Sequence, residues 1–414
     1  MATGSGFGWD SKDGATSHRR VLLKRRGFLK RSLSAVVGSG AFVSSSGVEG
    51  RAHGKNAATP LNGPIRFAQI GVGGQGAIDL QGVIAAGGTP AAFCDVDVQR
   101  AGKTYEAHPH VPRFTDYRVM LDRMSNEIDG VVISTPVHQH GAQAVDAIRR
   151  GLHVFVQTPM VRTIEELDAV SAAARKHGVV TQVGINLNQL SPSKSWAKPE
   201  LGTIRRVQAW TDRPNWPQGM DSIPKPTTPP VSLDWDLWLG PSAKRPFAKG
   251  YLPGAWRAWC DFGCGAIGDV FPHHVQDLFR DAGLGVPTEL VAKSCSGADV
   301  SFPLWSEITF QLNSSDDDGL PISLVWYDGN RRPESGSLSA SGPLEEPSDP
   351  VAVRKTDADE VPVVAADTSP ESSGGSGSGA PQLIDRPISV RRNGCAVIGS
   401  RLTLAGEGFG QVPR

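Results

Sequence analysis

The sequence has no excess of charge of either sign and no long apolar run. Its 414 residues hold 42 Lys and Arg against 42 Asp and Glu, which gives a formal net charge of zero. This balance argues against a nucleic-acid-binding protein, because such proteins usually carry a basic excess. No apolar run reaches the ~18 residues that a membrane-spanning helix needs, so we expect no stable membrane span.

Cysteine is also scarce, with five residues in the chain. They are scattered and form no C-x-x-C pair, the spacing typical of zinc sites and redox centres. The sequence therefore predicts neither a bound metal nor a dense disulfide framework. Glycine and proline are abundant by contrast, with 48 and 31 residues, which indicates long stretches of loop. At roughly 150 residues per domain, the length indicates two or three domains.

The N-terminal segment has the pattern of an export signal. Arg25 and Arg26 open an R-R-x-F-L-K motif, and a weakly apolar stretch follows over 33–43. Basic residues before a short apolar stretch are typical of signal peptides, and the arginine pair indicates the twin-arginine type. We therefore predict a signal peptide and linker over 1–60, export by the twin-arginine machinery and a periplasmic or other extracytoplasmic location. The alternative is a disordered basic tail.

A Gly-rich turn follows the first clear strand pattern. Residues 65–70 alternate apolar and polar side chains, which indicates a buried strand. The turn behind it has the spacing G-x-G-x-x-G, in which glycines allow a tight turn, close approach of a pyrophosphate and close packing of the next helix. Its residues are Gly71, Val72, Gly73, Gly74, Gln75 and Gly76. The segment predicts a dinucleotide-binding domain over 62–190.

A carboxylate lies where such a domain binds the cofactor ribose. A second strand pattern over 90–94 ends at Asp95, about 20 residues after Gly76, the expected position of the acid that binds the ribose 2′-hydroxyl. A carboxylate there repels a 2′-phosphate, so the sequence favours NAD over NADP. The alternative for Asp95 is a helix N-cap.

Further strands alternate with helices along this domain. Strand patterns cover 130–134, 151–156 and 179–183, and Thr163 with Glu166 predicts the capping box of a helix that ends before Gly178. This alternation predicts a doubly wound parallel sheet. Ligands bind at the carboxyl ends of such strands, where the sequence places Thr135, Pro136, His140, Gln157 and Thr158.

The composition changes after residue 190. Alternating patterns over 207–211, 307–312 and 322–327 predict strands of an α+β domain over 191–414. Nine of the ten tryptophans lie between Trp196 and Trp326, and most of them are expected to be core or loop anchors. Residues 335–382 are rich in Ser, Pro, Gly, Asp and Glu, so we predict a disordered insertion there.

One segment of this domain has the pattern of an acid–base pair. Asp269 and His273 are four residues apart, so on a helix they share one face. A carboxylate beside an imidazole orients the ring and raises its basicity, which suits proton transfer near neutral pH. A structural helix cap explains the same spacing equally well.

These motifs resemble the Gfo/Idh/MocA oxidoreductase family, which includes glucose–fructose oxidoreductase and inositol dehydrogenase. The resemblance rests on the Gly-rich turn, on the Cys94-Asp95-Val96-Asp97 run, on T-P-x-x-x-H over 135–140 and on G-x-H-V over 151–154. The L-D-W-D-L-W-L-G-P segment at 233–241 is similar to exported, twin-arginine-targeted members. The resemblance implies a Rossmann domain followed by an open, mostly antiparallel sheet domain, with NAD as cofactor and a sugar or polyol as substrate.

The resemblance also implies roles for the acid–base pair. In the family, an Asp and a His at this spacing bind sugar hydroxyls and help to move the alcohol proton. The family usually has a second acid three residues after the histidine, but Gln276 stands there. His274 and Asp277 restore the spacing one residue later, so His274 remains an alternative to the preferred His273.

A second departure concerns the residue expected to contact the reacting oxygen. The family usually has Glu-Lys-Pro where this chain has Gln157, Thr158 and Pro159, and Thr158 has no ammonium group. Two functions therefore stay open: a sugar or polyol oxidoreductase, in which the cofactor is recycled or serves transiently in glycoside cleavage, and a catalytically impaired carbohydrate-binding protein. The chain ends at Arg414, earlier than the resemblance leads one to expect, and a homo-oligomer through the C-terminal sheet is possible.

Overall fold

The computed structural model describes residues 17–22, 63–185, 201–281, 284–295, 299–313, 321–338, 393–400 and 403–407. Its first element is strand β1 (Ser17–Leu22), which lies inside the segment predicted as signal peptide and linker. Arg25 and Arg26 lie outside the described residues. None of the helices described is both long and apolar enough to cross a membrane.

Six parallel strands form the sheet of the N-terminal domain, in the order β4-β3-β2-β5-β6-β7. They are β2 (Arg66–Ile70), β3 (Thr89–Cys94), β4 (Arg113–Phe114), β5 (Gly130–Ile133), β6 (His153–Gln157) and β7 (Thr181–Gly184). The predicted parallel sheet is confirmed, and β4, which is two residues long, carries too little pattern to be found from sequence.

Five helices connect these strands and cover both faces of the sheet. They are α1 (Gln75–Ala85), α2 (Gly102–Ala107), α3 (Tyr117–Met124), α4 (His140–Arg149) and α5 (Ile164–His177). Alternate residues of a strand enter opposite clusters: Ala68 packs in one apolar cluster and Phe67 in the other. Burial of each large apolar side chain stabilises the fold by roughly 1.5–3 kcal/mol.

Helix α5 begins and ends where the sequence predicts. The Thr163 hydroxyl accepts a hydrogen bond from the Glu166 backbone N–H at 3.2 Å, and the Glu166 carboxylate accepts from the Thr163 N–H. Gly178 follows with φ +63°, a left-handed conformation that favours glycine. The capping box therefore forms as predicted.

The C-terminal domain contains a seven-stranded sheet in the order β1-β9-β10-β11-β8-β12-β13. All neighbours are antiparallel except β11 and β8, which are parallel. The strands are β8 (Ile204–Trp210), β9 (Pro287–Ser294), β10 (Ser306–Leu312), β11 (Ile322–Tyr327), β12 (Gly394–Gly399) and β13 (Thr403–Glu407). The mostly antiparallel sheet is confirmed.

Two further helices position the functional residues of this domain: α6 (Trp235–Leu239) and α7 (Gly265–Asp281). Val270 and Val275 of α7 pack against the sheet with Val207, Leu324 and Trp326. Because one side of α7 is held by this packing, its opposite side is free to face the N-terminal domain.

A cluster of aromatic side chains supports the loops between β8 and α7. Trp238, Tyr251, Trp259 and Phe262 are all buried, and the rings of Tyr251 and Trp259 meet edge to face with centroids 5.4 Å apart. Most described tryptophans therefore serve as core anchors, as expected.

The prediction of a disordered insertion over 335–382 is wrong for its first four residues. Residues 335–338 form a short 3-10 helix instead of a disordered loop. Leu338 is buried against Trp210 and Ile398, so one apolar side chain holds this turn to the sheet. Residues 339–392 lie outside the described residues.

Candidate functional site

A cleft of about 2220 Å³ lies where the carboxyl ends of β2, β3, β5 and β6 meet α7 and the loops of the C-terminal domain. Open parallel sheets bind ligands at this edge. Among the predicted site residues, Val72, Gly76 and His274 do not line the cleft. Those that do are Gly71, Gly73, Gly74, Gln75, Asp95, Thr135, Pro136, His140, Gln157, Thr158, Asp269 and His273.

The glycines of the Gly-rich turn (residues 71–76) have no room for side chains. Gly71 has φ +80° and its N–H donates to the Cys94 carbonyl oxygen at 2.8 Å. A Cβ atom on Gly76 would lie 2.1 Å from the Gly71 carbonyl oxygen. Glycine at these positions lets the strand turn sharply into α1, whose N-terminus then faces the cleft.

Arg100 lies over this turn, a contact that the sequence did not indicate. A Cβ atom added to Gly73 would lie 2.6 Å from the Cγ atom of Arg100. A Cβ atom added to Gly74 would lie 2.5 Å from its Nη2 atom. The guanidinium therefore stands beside the place where a cofactor pyrophosphate approaches the backbone. A planar cation there favours phosphate groups.

Asp95 is buried at the end of β3 beside the turn. Its Oδ2 accepts a hydrogen bond from the Val72 N–H at 2.9 Å, and its Oδ1 accepts from the Asp97 N–H at 3.0 Å. Burial raises the pKa of the Asp95 carboxyl, and these two N–H groups oppose the rise. The N–H of Gly73 also opposes the rise, and the carboxylate lines the cleft where a ribose hydroxyl would approach. The alternative helix-cap role is wrong, because α2 has Ala101 at its N-cap.

Asp79 joins the turn to the neighbouring strand ends. Its carboxylate accepts hydrogen bonds from Ser134 Oγ at 2.6 Å, from Gln157 Nε2 at 2.8 Å and from Gln75 Nε2 at 2.9 Å. Gln157 is thus held by α1. The sequence analysis missed Asp79, whose one local signal is its i, i+4 spacing from Gln75 on α1.

His140 braces the two turns that follow β5 and β6. Its Nε2 lies 2.7 Å from the Thr135 carbonyl oxygen and its Nδ1 lies 2.8 Å from that of Pro159. Burial lowers the pKa of His140, while both carbonyl oxygens favour the protonated ring. The ring therefore holds the T-P-x-x-x-H turn against the Q-T-P turn.

The segment at 233–241 connects the C-terminal domain to the same edge of the sheet. The Asp234 N–H donates to the Val96 carbonyl oxygen at 2.8 Å, next to Asp95. Gln139 Nε2 donates to the Trp238 carbonyl oxygen at 2.8 Å, and His138 Nε2 lies 2.9 Å from the same oxygen. These bonds join the C-terminal domain to the carboxyl edge of the parallel sheet.

Thr158 lines the cleft in the position of the family's lysine. Its hydroxyl donates to the Gly184 carbonyl oxygen at 2.6 Å. The hydroxyl proton is therefore engaged within the N-terminal domain, and Thr158 offers an incoming substrate only an acceptor oxygen.

Helix α7 separates the two candidate histidines. Asp269 and His273 line the cleft, whereas His274 is buried with its ring 5.8 Å from that of Trp326. Burial lowers the pKa of His273, and the negative Asp269 partly opposes this. Burial lowers the pKa of His274 to about 4. His274 as the alternative site residue is therefore wrong, because it faces the sheet; the side chain of Asp277 lies outside the described residues.

Arg257 is a second residue that the sequence analysis missed. Its Nε lies 3.3 Å from Oδ1 of Asp269, so it holds that carboxylate at the cleft surface. Its guanidinium lies 4.4 Å from the ring centroid of Trp256 and 5.8 Å from that of Trp216. Arg257, Asp269 and Trp216 come together only in the folded chain. The one local sequence signal for Arg257 is the neighbouring Trp256, on which a guanidinium can stack.

The N-terminal half of the cleft fits a dinucleotide. It combines backbone accessible at glycines, the N-terminus of α1, a buried carboxylate at Asp95 and the cation of Arg100. These groups match a pyrophosphate and a ribose. In the part of the chain that the structure describes, no group of three or more His, Cys, Asp or Glu is arranged to hold a metal ion.

Comparison with known proteins gives matches over both domains. Residues 65–185 match the Gfo/Idh/MocA model described as "Oxidoreductase family, NAD-binding Rossmann fold", and residues 188–322 match its "C-terminal alpha/beta domain". A glycosyl hydrolase family 109 protein of Saccharopolyspora erythraea is 27% identical over 224 residues, which cover 51% of this chain and 42% of that protein.

Two further relatives have dehydrogenase names. The scyllo-inositol 2-dehydrogenase (NAD(+)) of Bacillus subtilis is 35% identical over 74 residues, or 18% of this chain and 21% of that protein. The crystal structure of the WlbA dehydrogenase from Bordetella pertussis, in complex with NADH and UDP-GlcNAcA, superposes with a TM-score of 0.50. It is 15% identical, and the match covers 84% of this chain and 80% of that one.

The sequence matches to these curated relatives cover less than half of the relatives' own length. The two family models, by contrast, follow one another along the chain and coincide with the parallel sheet and with the first part of the C-terminal domain. The chain belongs to the Gfo/Idh/MocA oxidoreductase family, with an NAD-binding Rossmann domain followed by the family's α/β domain.

Proposed function

We propose that the chain is an NAD-dependent oxidoreductase that acts on a sugar or polyol by hydride transfer. One observation carries the proposal: Asp269 and His273 line the same cleft as Asp95 and the Gly-rich turn. A dinucleotide site beside a carboxylate–imidazole pair has the groups that alcohol oxidation needs.

The chain's own residues would move the proton. The nicotinamide, when bound, accepts or donates a hydride at C4. His273 lines the cleft and its Nδ1 is buried, so we assign the proton transfer to Nε2. A lowered pKa keeps this imidazole neutral near pH 7. Nε2 then takes the hydroxyl proton as the carbinol carbon loses its hydride, while Asp269 stabilises the imidazolium that forms.

The competing proposal is a carbohydrate-binding protein without turnover. It is favoured by Thr158, whose only hydroxyl proton is donated to Gly184 and which has no ammonium for the reacting oxygen. The same cleft then binds NAD and a sugar, but no hydride passes.

A histidine substitution tests the first proposal. With NAD and a panel of sugars and polyols, the wild type is expected to form NADH with at least one compound. His273→Asn should lower kcat by roughly 10²–10⁴-fold, the contribution of one positioned acid–base group, with unchanged NAD affinity. His110→Asn, an exposed histidine outside the cleft, is the matched control. Unchanged kcat in His273→Asn would contradict the assigned role.

A lysine substitution separates the two proposals. If the fold is competent and only the ammonium is absent, Thr158→Lys should raise sugar-dependent NAD reduction by roughly 10²–10⁴-fold. His273→Ala in that background should remove the gain. A Thr158→Lys protein that binds NAD and forms no NADH across the panel would support the binding protein.

Glycoside cleavage through transient oxidation is a second candidate reaction. It is favoured by the similarity to glycosyl hydrolase family 109 proteins. Release of nitrophenol from nitrophenyl glycosides with catalytic NAD and no net NADH would support it. Release that is unchanged after NAD is removed would contradict it.

We further propose that the precursor is exported by the twin-arginine route, on the basis of Arg25 and Arg26.

We also propose that the protein forms a homo-oligomer through the C-terminal sheet, since such a sheet offers a broad surface to a second copy. Light scattering on the purified protein measures its mass, and a monomer at all concentrations would contradict the oligomer.

A further inference from the structure

The acid of the candidate acid–base pair is in contact with a cation. Nε of Arg257 lies 3.3 Å from Oδ1 of Asp269, and their side chains are 34% and 21% exposed. Both residues line the cleft. Solvent screens a half-buried pair of this kind less than a pair on the open surface. Because His273 follows Asp269 by one turn of α7, the same carboxylate acts on the Arg257 guanidinium and on the His273 imidazole.

Arg257 is held in place by its backbone as well as by its side chain. It belongs to a 3-10 helix over Ala255–Ala258, and a Cβ added to Gly263 would lie 2.2 Å from its carbonyl oxygen. This turn therefore packs tightly on the residues that lead into α7. The Cζ atom of Arg257 lies 4.4 Å from the ring centroid of Trp256 and 5.8 Å from that of Trp216. Contact with aromatic rings favours a fixed position for the guanidinium.

The other titratable groups that face Asp269 and His273 are uncharged near pH 7. Burial lowers the pKa of His140 on α4, which faces Asp269. Burial also lowers the pKa of His274, next to His273, to about 4. The thiol of Cys264 faces Asp269 as well, and burial raises its pKa to about 12. In the part of the chain that the structure describes, the charge in contact with Asp269 is therefore the guanidinium of the neighbouring 3-10 helix.

We propose that Arg257 is a positioning residue of the reaction, which holds the Asp269 carboxylate and takes up part of the negative charge that would otherwise act on His273. This inference rests on the proposed oxidoreductase and adds a residue to its mechanism. An unshared carboxylate beside an imidazole stabilises the imidazolium, and a base that is already protonated cannot take the hydroxyl proton. Arg257 thus keeps His273 neutral before the reaction, while Asp269 stays close enough to stabilise the imidazolium that the reaction forms.

NMR titration of the histidine ring protons tests this proposal without turnover. The signal of His273 is identified by its loss in His273→Asn. In Arg257→Met, the pKa of His273 should rise by roughly half a pH unit or more, because the full charge of Asp269 then favours the imidazolium. Arg257→Lys keeps a cation and should restore most of the wild-type value. Arg118→Met, which removes another cleft-lining arginine that pairs with an aspartate, is the matched control.

A second background shows whether Arg257 acts through Asp269. In Asp269→Asn the carboxylate charge is absent, so adding Arg257→Met should shift the pKa of His273 clearly less than it does in the wild type. An equal shift in both backgrounds would overturn the proposal, because Arg257 would then act on His273 directly. An unchanged or lowered pKa of His273 in Arg257→Met alone would overturn it as well.

The pH dependence of the rate connects this charge to the proposed reaction. The acid limb of the kcat/KM profile reports the protonation of the base in the free enzyme. A raised pKa of His273 moves that limb to higher pH, so Arg257→Met should shift it by the amount that the NMR titration gives. Arg257→Lys should shift the limb back. A loss of rate that is equal at every pH would show a merely structural role and overturn the proposal.

The outcomes separate this inference from the proposed reaction. NADH formation that depends on His273, with a pH profile that does not respond to Arg257→Met, would overturn the inference and leave the reaction in place. A shifted pKa of His273 with no NADH formation from any compound would leave the coupling of Arg257, Asp269 and His273 standing and remove the oxidoreductase proposal.

Discussion

Asp95 is the residue on which cofactor choice is expected to depend. Its carboxylate stands beside Val72 at the turn, where a 2′-phosphate would meet a negative charge. NAD(H) should therefore bind more tightly than NADP(H), and Asp95→Ser should narrow or reverse that preference. Titration of tryptophan fluorescence with both cofactors measures it. Tighter NADP(H) binding by the wild type would mean that Arg100 outweighs Asp95.

The choice between His273 and His274 is the clearest case in which the sequence could not identify the site residue. His273 and His274 are adjacent, and both fit a pair with an acid, so spacing alone left them as alternatives. The packing of α7 on Trp326 turns one into the core and the other to the cleft. Which face of a helix is covered depends on strands far away in the chain.

At the scale of the element, helix α1 depends on the absence of one side chain. Gly76→Ala would place a Cβ 2.1 Å from the Gly71 carbonyl oxygen, so the turn must open and NAD binding should be lost. Gly82 is in the same helix with no atom within 4 Å of its Cβ position. Gly82→Ala should instead stabilise the protein by roughly 0.5–1 kcal/mol and keep NAD affinity. Thermal unfolding and NAD titration of both variants provide the comparison, and equal behaviour would contradict the assigned packing.

The C-terminal sheet contains a carboxyl group that should make stability depend on pH. Asp328 follows β11 and accepts hydrogen bonds from the Ser306 hydroxyl at 2.6 Å and from Trp326 Nε1 at 2.9 Å. Burial nevertheless raises its pKa from 3.8 to about 6. The folded state thus binds this proton more tightly than the unfolded chain does. The free energy of unfolding contributed by Asp328 should fall as pH rises from about 4 to about 6.

Urea unfolding between pH 4 and pH 7 measures this effect. The difference in unfolding free energy between wild type and Asp328→Asn should change by about 2 kcal/mol across that interval, in favour of the variant at high pH. Asp168→Asn, which removes an exposed acid on α5, is the matched control. A pH-independent difference for Asp328→Asn would rule out the raised pKa.

At the scale of the whole molecule, export is the prediction that concerns the full chain. Replacing Arg25 and Arg26 with Lys should leave the precursor in the cytoplasm, because the signal is read through the arginine pair. Fractionation of cells that express both forms measures the exported share. A variant exported as well as the wild type would mean that the segment is an ordinary basic tail.

Local patterns were enough to predict most of the alternating strands and helices of the N-terminal domain. Some features depend on residues only a few positions apart, so sterics and hydrogen bonding within a short segment decide them. Examples are the alternation at β2, the glycines of the turn and the capping box of α5. The parallel sheet and the cofactor half of the cleft follow from them. Strand β4 and the turn at Leu338 were missed because their stability comes from partners elsewhere in the fold.

Only the tertiary structure decided which side chains share the cleft. Arg257 meets Asp269 twelve residues away, Gln157 meets Asp79 seventy-eight residues away, and Gly250 lies against Pro224 because two loops pack together. Such contacts have no periodic signature, since they depend on how a sheet, a helix and several loops pack against one another. The sequence by itself determined the dinucleotide-binding fold and the position of Asp95. Long-range packing determined which side chains, Asp269 and His273 among them, face that half of the cleft.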